Sequence, residues 1–316
     1  MTETIRSGTW LAITESIKGA SHIATSKGNQ DAVNVLPCSD LGLAVAVADG
    51  HGSAKYIRSD VGAKFAVEIA TKEFALLLDD QRFISVDELR QRVAQGIMHR
   101  WRNAVNEHLN TRPLDDEERR RTGLSPGDDV QAYGTTLLAA GVKYARRRNS
   151  TAQGNGPEGV AYFLQIGDGD LVVVDISGNV SRPIAKERGV LGEETDSLCM
   201  KDAWKKFRGA AKRIHRDNLV EQPSLVFMTT DGYSKAFVDD QAFLQAAKDY
   251  FDLLSRPKGV LAVERNLTEW LREASDKFTG DDVTVALVSR VITAPKSRTQ
   301  AHNSGGHSKA NRRARK

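Results

Sequence analysis

Three aspartates stand where strongly apolar segments meet loops. Asp49 ends the run LGLAVAVAD, Asp231 ends SLVFMTTD, and Asp281 with Asp282 opens DDVTVALVSRV. Buried strands hold their ends in register, so these carboxylates can converge on one cleft. Converging carboxylates repel one another and resist ionisation unless a cation lies between them. Because hard oxygen ligands of this kind suit Mg²⁺ or Mn²⁺ better than Zn²⁺, the pattern predicts a site for a divalent cation of that class.

The alternative is that each aspartate only forms a turn, because its side chain bonds to nearby backbone amides. For a single aspartate at the end of a strand, this is the commoner role. Three of them beside strongly apolar strands, two followed by glycine, favour the cation site. Spacing along the chain does not by itself bring the three together.

The segments around these aspartates alternate between strand and helix patterns and contain no internal repeat. Continuous apolar runs predict strands over 41–49, 134–144, 160–168, 224–232 and 281–291, with a hairpin over 171–184. Apolar residues at helical spacing predict helices over 55–78, 85–109, 243–251 and 260–278, and Ser85 with Glu88 forms a predicted capping box. Residues 112–130 are predicted to be a polar surface loop, and 185–222 to be charged and irregular.

Six short segments occur in the order and approximate spacing of a known enzyme family. They are NQDA at 29–32, DGHG at 49–52, GTT at 134–136, IGDGD at 166–170, TTDG at 229–232 and GDDVT at 280–284. Together they make the chain resemble the PPM (type 2C) metal-dependent protein phosphatases over residues 18–291, and the bacterial members most closely. The resemblance implies an α+β fold: a four-layer α-β-β-α sandwich of two antiparallel sheets flanked by helices, with metals at one end.

The resemblance also implies a ligand set. Asp49 would bridge two Mn²⁺ or Mg²⁺ ions, and the Gly50 carbonyl would add an oxygen to one of them. Asp231 and Asp281 would complete the shell of the other ion. Asp31 would act through a water ligand, and Asp168 would help to hold a third ion. Asp282 stands where many relatives have asparagine, so it is a candidate for a ligand or for a residue just outside the ligand set.

The catalytic roles implied by the resemblance fall on Asp49 and His51. Two divalent cations lower the pKa of a shared water and neutralise the phosphoryl oxygens that the water attacks. The departing serine or threonine oxygen then needs a proton. His51, two residues after Asp49, is the predicted donor because histidine titrates near neutral pH. The alternative is a histidine that only fixes the loop by hydrogen bonding.

Two positions depart from the family pattern. Where relatives commonly have an arginine that grips the substrate phosphate, this chain has Ser26, with Lys27 beside it as a candidate phosphate-binding residue. Lysine neutralises phosphate but lacks the two-pronged geometry of a guanidinium. Gln30 replaces the usual glutamate and removes one charge near the metals. Neither change touches the inner metal ligands, so activity is expected.

The 316 residues are predicted to form one phosphatase domain over 1–292, with a variable flap at about 185–222, and a basic disordered tail over 293–316. The tail carries seven basic residues and no acidic one, so the net charge of +4 leaves −3 on residues 1–292. The tail lacks interleaved aromatic residues, so nucleic-acid binding is not expected. The basic run within 205–216 is interpreted either as a surface for an acidic phosphoprotein or as a solvated helix face.

The predicted function is hydrolysis of phosphoserine or phosphothreonine on proteins that a kinase has phosphorylated. Two alternatives stay open: a non-catalytic scaffold that binds phosphoproteins, and a phosphatase for small phosphorylated metabolites. The only two cysteines, Cys38 and Cys199, form no CxxC pair, which suits a reducing compartment, and no apolar run is long enough to span a membrane. A cytoplasmic location without membrane contact is therefore predicted.

Overall fold

The computed structural model describes residues 1–38, 41–80, 82–144, 159–186, 195–214 and 222–290. Within these ranges the strands form two sheets in which every pairing is antiparallel. The first sheet has the order β1-β2-β11-β10-β7-β8: Glu3–Ser7, Trp10–Ile17, Val283–Arg290, Pro223–Thr229, Asp170–Asp175 and Val180–Ser181. The second has the order β3-β4-β5-β6-β9: Ala32–Cys38, Gly42–Ala48, Leu137–Tyr144, Gly159–Ile166 and Arg208–Ile214.

Helices cover the outer face of each sheet. The helices in chain order are α1 (Ala20–Ala24), α2 (Ser59–Asp79), α3 (Val86–Glu88), α4 (Gln95–Thr111), α5 (Asp116–Thr122), α6 (Ala203–Lys206), α7 (Asp231–Ser234), α8 (Asp240–Leu254) and α9 (Gly259–Ala274). A π-helical stretch, Leu89–Ala94, joins α3 to α4, and another, Ser275–Thr279, follows α9. A 3₁₀ helix, Asp129–Tyr133, precedes β5.

Alternation along β4 explains the layering. Leu43, Val45 and Val47 point between the two sheets, whereas the intervening alanines of β4 face the helical layer of α2. Successive side chains of a strand point to opposite faces, so one strand supplies both interfaces. The small alanines match Ala63, Ala66 and Ala70 of α2, which lets helix and sheet approach closely.

Side chains alternate in the same way in the other sheet. In β10, Val226 and Met228 pack between the sheets, while Leu225 and Phe227 pack against α8 and α9. Phe227 stacks on Phe243 of α8 with ring centroids 5.6 Å apart. The predicted α-β-β-α sandwich of two antiparallel sheets flanked by helices is therefore confirmed.

Two segments differ from the sequence prediction. Residues 112–130, predicted to be a loop, contain α5, whose capping box of Asp115 and Glu118 ties down its first turn. The helix is strongly charged and buries no residue, so it carries no apolar stripe to reveal it. Arg208–Ile214, within the stretch predicted to be irregular, is the edge strand β9; lysine and arginine are common on such edges because they discourage pairing with other chains.

A smaller difference concerns the helix after Ser85. The Ser85 hydroxyl accepts from the Glu88 amide at 3.2 Å, but the Glu88 side chain pairs with Arg82, so only half of the predicted capping box forms. The predicted tail over 293–316 and part of the predicted flap, 187–194 and 215–221, lie outside the described residues. Among the described helices, none is long and apolar enough to cross a membrane.

Candidate active site

A cavity of about 200 Å³ opens where the ends of β4, β10 and β11 come together. Five aspartates line it: Asp49, Asp168, Asp231, Asp281 and Asp282. The predicted residues Gln30, Gly50 and His51 line it as well. Segments separated by more than two hundred residues thus meet at one end of the sandwich, as the strand-end pattern predicted.

Antiparallel pairing explains how Asp231 meets Asp281. Thr229 at the end of β10 pairs with Val285 near the start of β11, so the residues just beyond each strand become neighbours. The Thr230 amide donates to the Thr284 carbonyl at 3.1 Å, and the Thr284 amide donates to the Thr230 hydroxyl at 3.0 Å. The Cβ of any residue replacing Gly232 would lie 2.1 Å from the Asp282 carbonyl, so only glycine permits this approach.

The DGHG segment is held by the backbone of two other loops. The Asp49 amide donates to the Thr136 hydroxyl at 3.0 Å, and the Thr136 amide donates to the Asp49 carbonyl at 2.9 Å. The Gly50 amide donates to the Gln30 carbonyl at 3.2 Å, and the His51 amide donates to the Gly134 carbonyl at 3.1 Å. The GTT and NQDA segments therefore position the loop that carries Asp49.

The carboxyl groups of the site are difficult to ionise together. Burial, and then the charges of Asp31 and Asp231, raise the pKa of Asp49 well above its usual range. Burial and the charge of Asp231 also raise the pKa of Asp281. At the exposed mouth, partial desolvation of its carboxyl group and the charge of Asp231 raise the pKa of Asp168. This concentration of negative charge is what a divalent cation relieves.

Asp31 lies behind the cavity wall rather than in its lining. It is buried, and it accepts a hydrogen bond from the Thr230 hydroxyl at 2.8 Å. Burial, followed by the charge of Asp282, raises its pKa well above the usual range. Its placement one layer deeper is compatible with the predicted role of acting through a water.

Asp282 anchors the opening motif. One carboxylate oxygen accepts from the Gly19 amide at 2.7 Å, and the other accepts from the Gln30 amide at 2.6 Å. The His22 Nδ1 atom lies 2.9 Å from that second oxygen. With both oxygens committed to groups that hold loops together, Asp282 acts as a structural clamp beside the other carboxylates.

Two cationic or ionisable residues in the lining, His22 and Lys235, were not predicted. Lys235 follows α7, one helical turn after Asp231, and its ammonium forms an ion pair with the Asp231 carboxylate. Burial lowers the pKa of Lys235, but the charge and hydrogen bond of Asp231, together with the charges of Asp168 and Asp281, raise it overall. The spacing of four residues between Asp231 and Lys235 was the available sequence signal.

His51 lies in the cavity wall and packs on Tyr56, with ring centroids 4.7 Å apart. The Gln30 side-chain amide donates to the His51 carbonyl at 3.2 Å. Lys27 is outside the lining: it is exposed, and its ammonium donates to the Gly52 carbonyl at 3.1 Å. Ser26, at the position of the family's arginine, is exposed and has a left-handed backbone with φ of 57°.

The donor set fits a hard divalent cation in its chemistry, because it consists of clustered aspartate oxygens and the pKa values of Asp49 and Asp281 are raised. Its present geometry is not a closed ligand set. Among the described residues, no group of three or more His, Cys, Asp or Glu side chains is arranged to hold a metal ion as it stands. Asp231 instead engages Lys235 and shares a hydrogen bond with Asp49, so binding a cation requires these side chains to turn.

Comparison with known proteins agrees with this architecture. The family model for protein phosphatase 2C matches residues 18–272. A bacterial serine phosphatase is 15% identical with a TM-score of 0.54, covering 88% of this chain and 97% of that chain. The serine/threonine phosphatase Stp1 from Staphylococcus aureus is 13% identical with a TM-score of 0.52, covering 91% of this chain and 98% of that chain. The serine/threonine phosphatase of S. agalactiae is 15% identical with a TM-score of 0.51, covering 89% and 99%.

At these identities the solved structures establish the fold alone, whereas the family model covers well over half of the sequence. Comparison with curated proteins gives no match. The chain belongs to the protein phosphatase 2C family of serine/threonine phosphatases.

Proposed function

We propose that this protein hydrolyses phosphoserine and phosphothreonine in protein substrates, and that it requires Mn²⁺ or Mg²⁺ to do so. The observation that carries the proposal is the meeting of Asp49, Asp231 and Asp281 in one small cavity. Suppressed ionisation of Asp49 and Asp281 indicates a site built to be neutralised by cations. A purely structural cluster of this kind would cost stability at neutral pH.

Asp49 and the Gly50 carbonyl are the residues proposed to hold a pair of ions, with Asp231 and Asp281 completing the set. Asp31 would contribute through a water, and Asp168 at the mouth would serve a third ion. When bound, such a pair supplies an acidified water and positive charge for the phosphoryl oxygens. Gln30 and Asp282 hold the surrounding loops through the contacts described above.

His51 is proposed to donate the proton that the departing serine or threonine oxygen requires. Its backbone is fixed by Gly134, and its ring rests against Tyr56 in the cavity wall. The positive charge that approaches the phosphoryl group from the protein is proposed to come from Lys235, which lines the cavity. Lys27 does not line it, and its ammonium donates to the carbonyl of the lining residue Gly52. Lys235 would thus supply the positive charge that an arginine supplies in relatives at the position of Ser26.

The proposal extends to the substrate and to the cellular location. The substrate would be the product of a serine/threonine kinase. Cys38 and Cys199 are free thiols, which supports a reducing, cytoplasmic location. Burial raises the pKa of Cys38 to about 11 and also raises that of Cys199, so neither thiol is primed as a nucleophile.

Measuring phosphate release distinguishes this proposal from the two alternatives, a metabolite phosphatase and a non-catalytic scaffold. Wild-type protein and Asp49→Asn are incubated with Mn²⁺ and with phosphopeptides, p-nitrophenyl phosphate or a panel of phosphorylated metabolites. Metal-dependent release from phosphopeptides that is lost in Asp49→Asn supports the proposal. Release from metabolites alone favours the metabolite phosphatase, and tight phosphopeptide binding without any release favours the scaffold.

A further inference from the structure

A second cavity, of about 380 Å³, lies beside the first and is strongly basic. Four cationic side chains line it, namely Arg90, Lys205, Lys206 and Arg208, against one acidic residue, Asp196. Asp196 is already paired with Lys206 at 3.3 Å. Lys205 is paired with Asp202, which lies outside the lining, at 3.2 Å. The four cationic groups therefore exceed their acidic partners, and the cavity keeps a net positive charge.

Arg90 is the most informative of these residues. It sits on the π-helical stretch after α3, and one terminal nitrogen donates to the Lys205 carbonyl at 3.3 Å. Its Nε atom is buried and has no hydrogen-bond partner among the described residues. A guanidinium offers five N–H donors in a planar fork that matches a carboxylate. Arg90 thus brings a charged guanidinium with an unsatisfied donor to the wall of the cavity.

Two contacts connect this basic cavity to the active site. Arg208 donates to the carbonyl of Gly167, the residue before Asp168, at 3.0 Å. Thr195, the residue before Asp196, donates from its hydroxyl to the Asp168 carboxylate at 3.2 Å. The basic cavity and the active site are therefore linked through residues 167–168 and 195–196.

We infer that the basic cavity binds a carboxylate side chain of the substrate, close in sequence to the phosphorylated residue. The inference rests on the proposed function and names its substrate class: phosphoproteins whose phosphoserine or phosphothreonine is flanked by glutamate or aspartate. Charge-assisted hydrogen bonds from Arg90, with the ammonium groups of Lys205 and Lys206 nearby, supply the selectivity.

The test compares two phosphoserine peptides that differ only in having glutamates or glutamines around the phosphoserine. With Mn²⁺, kcat/KM for the glutamate peptide should be about tenfold higher, as expected for one charge-assisted contact. Arg90→Gln should remove most of that preference and leave the glutamine peptide and p-nitrophenyl phosphate unchanged. Added salt should weaken the preference in the wild type.

Arg92→Gln is the matched control. Arg92 lies on the same π-helical stretch but is paired with Asp80 and Glu88 at 3.7 and 3.6 Å and does not line the basic cavity. It should keep the wild-type preference. The double variant Lys205→Gln/Lys206→Gln, at two exposed positions, gives a second reading if Arg90→Gln does not fold.

No preference in the wild type, or a preference that survives Arg90→Gln and the double lysine variant, overturns the inference. Equal losses on both peptides in Arg90→Gln overturn it as well, because they indicate a general defect. Failure of the wild type to release phosphate from any substrate with Mn²⁺ overturns the proposed function itself and is recognised by the silent p-nitrophenyl phosphate reaction.

Discussion

Lys235 and Asp231 lie one helical turn apart at the mouth of the candidate active site and form an ion pair there. The Lys235 amide also donates to the Asp231 carbonyl at 2.8 Å, so the turn that carries both residues is closed. The ammonium stands close enough to Asp168 and Asp281 to be influenced by their charges. Any cation that takes Asp231 as a ligand therefore competes with Lys235.

Lys235→Met should lower the stability of the protein in the absence of divalent cations. It should also let lower concentrations of Mn²⁺ stabilise the protein. The Asp231 carboxylate is buried, so the loss of stability in EDTA should exceed the roughly 0.3–0.5 kcal/mol of an exposed pair four residues apart. The Mn²⁺ concentration that gives half of the thermal stabilisation should fall, because Asp231 is released. Thermal unfolding with EDTA and with a Mn²⁺ series measures both.

Lys277→Met is the control for that variant. Lys277 forms an exposed pair with Glu273, also four residues away, but does not line the cavity. It should leave the response to Mn²⁺ at the wild-type value. A Mn²⁺ response that is the same in all three proteins would contradict the competition between cation and lysine.

The raised carboxyl pKa values predict a specific dependence of stability on pH. Asp49, Asp168 and Asp281 have folded-state pKa values above the ordinary 3.8, so the folded protein binds protons more tightly than the unfolded chain. Their contribution to stability is complete below that value and is lost as the pH rises through the raised values. Urea unfolding in EDTA should therefore show stability falling as the pH rises above about 4.

Asp49→Asn isolates the contribution of one group. The variant should lose less stability than the wild type over the same pH range, and Mn²⁺ should stabilise it less. Identical pH profiles for the two proteins would mean that Asp49 ionises freely and would remove the electrostatic basis for the cation site.

His51→Asn should slow the hydrolysis of a substrate more when its leaving group needs a proton to depart. A serine alkoxide needs a proton to depart, whereas p-nitrophenolate leaves without one. We expect turnover of a phosphoserine peptide to fall by about 100-fold or more and turnover of p-nitrophenyl phosphate to change little. Equal losses on both substrates would instead fit a histidine that only fixes the loop.

Gly50→Ala tests the close packing behind Asp49. A Cβ at Gly50 would lie 2.6 Å from the Gln30 carbonyl and 2.8 Å from the Ser59 carbonyl, so the loop must shift. A displacement near 1 Å can cost about 100-fold in rate, and we expect a loss of that order. Gly52→Ala is the control, since the nearest atom to its Cβ, the Gln30 Oε1, is an ordinary 3.8 Å away.

The strong apolar runs predicted the buried strands and the meeting of the aspartates at their ends, whereas the four layers were predicted from the resemblance to the family. LGLAVAVAD and SLVFMTTD contain buried strands, and each segment ends in an aspartate of the site. The strand β9 was missed because its RGAAKRI segment is basic and only half-buried at a sheet edge. Local pattern carries little information where tertiary pairing decides the structure.

Some residues of the site could not be predicted from sequence patterns because their contacts join distant parts of the chain. His22 contacts Asp282, which is 260 positions away in the sequence, and the residues around neither of them indicate the contact. Asp31 and Lys27 were placed by resemblance to the family; Asp31 lies behind the lining and Lys27 outside it. Lys235 was within reach, because a position four residues after Asp231 shares its helical face.

The most direct test of the central claim is the release of inorganic phosphate from a phosphoserine peptide at neutral pH. The wild type should release phosphate with Mn²⁺ and stop in EDTA, and Asp49→Asn should be slower by about 100-fold or more, as expected when a group acting on the transition state is removed. Phosphate release that proceeds equally in EDTA, or equally in Asp49→Asn, would contradict a catalytic site built from these aspartates.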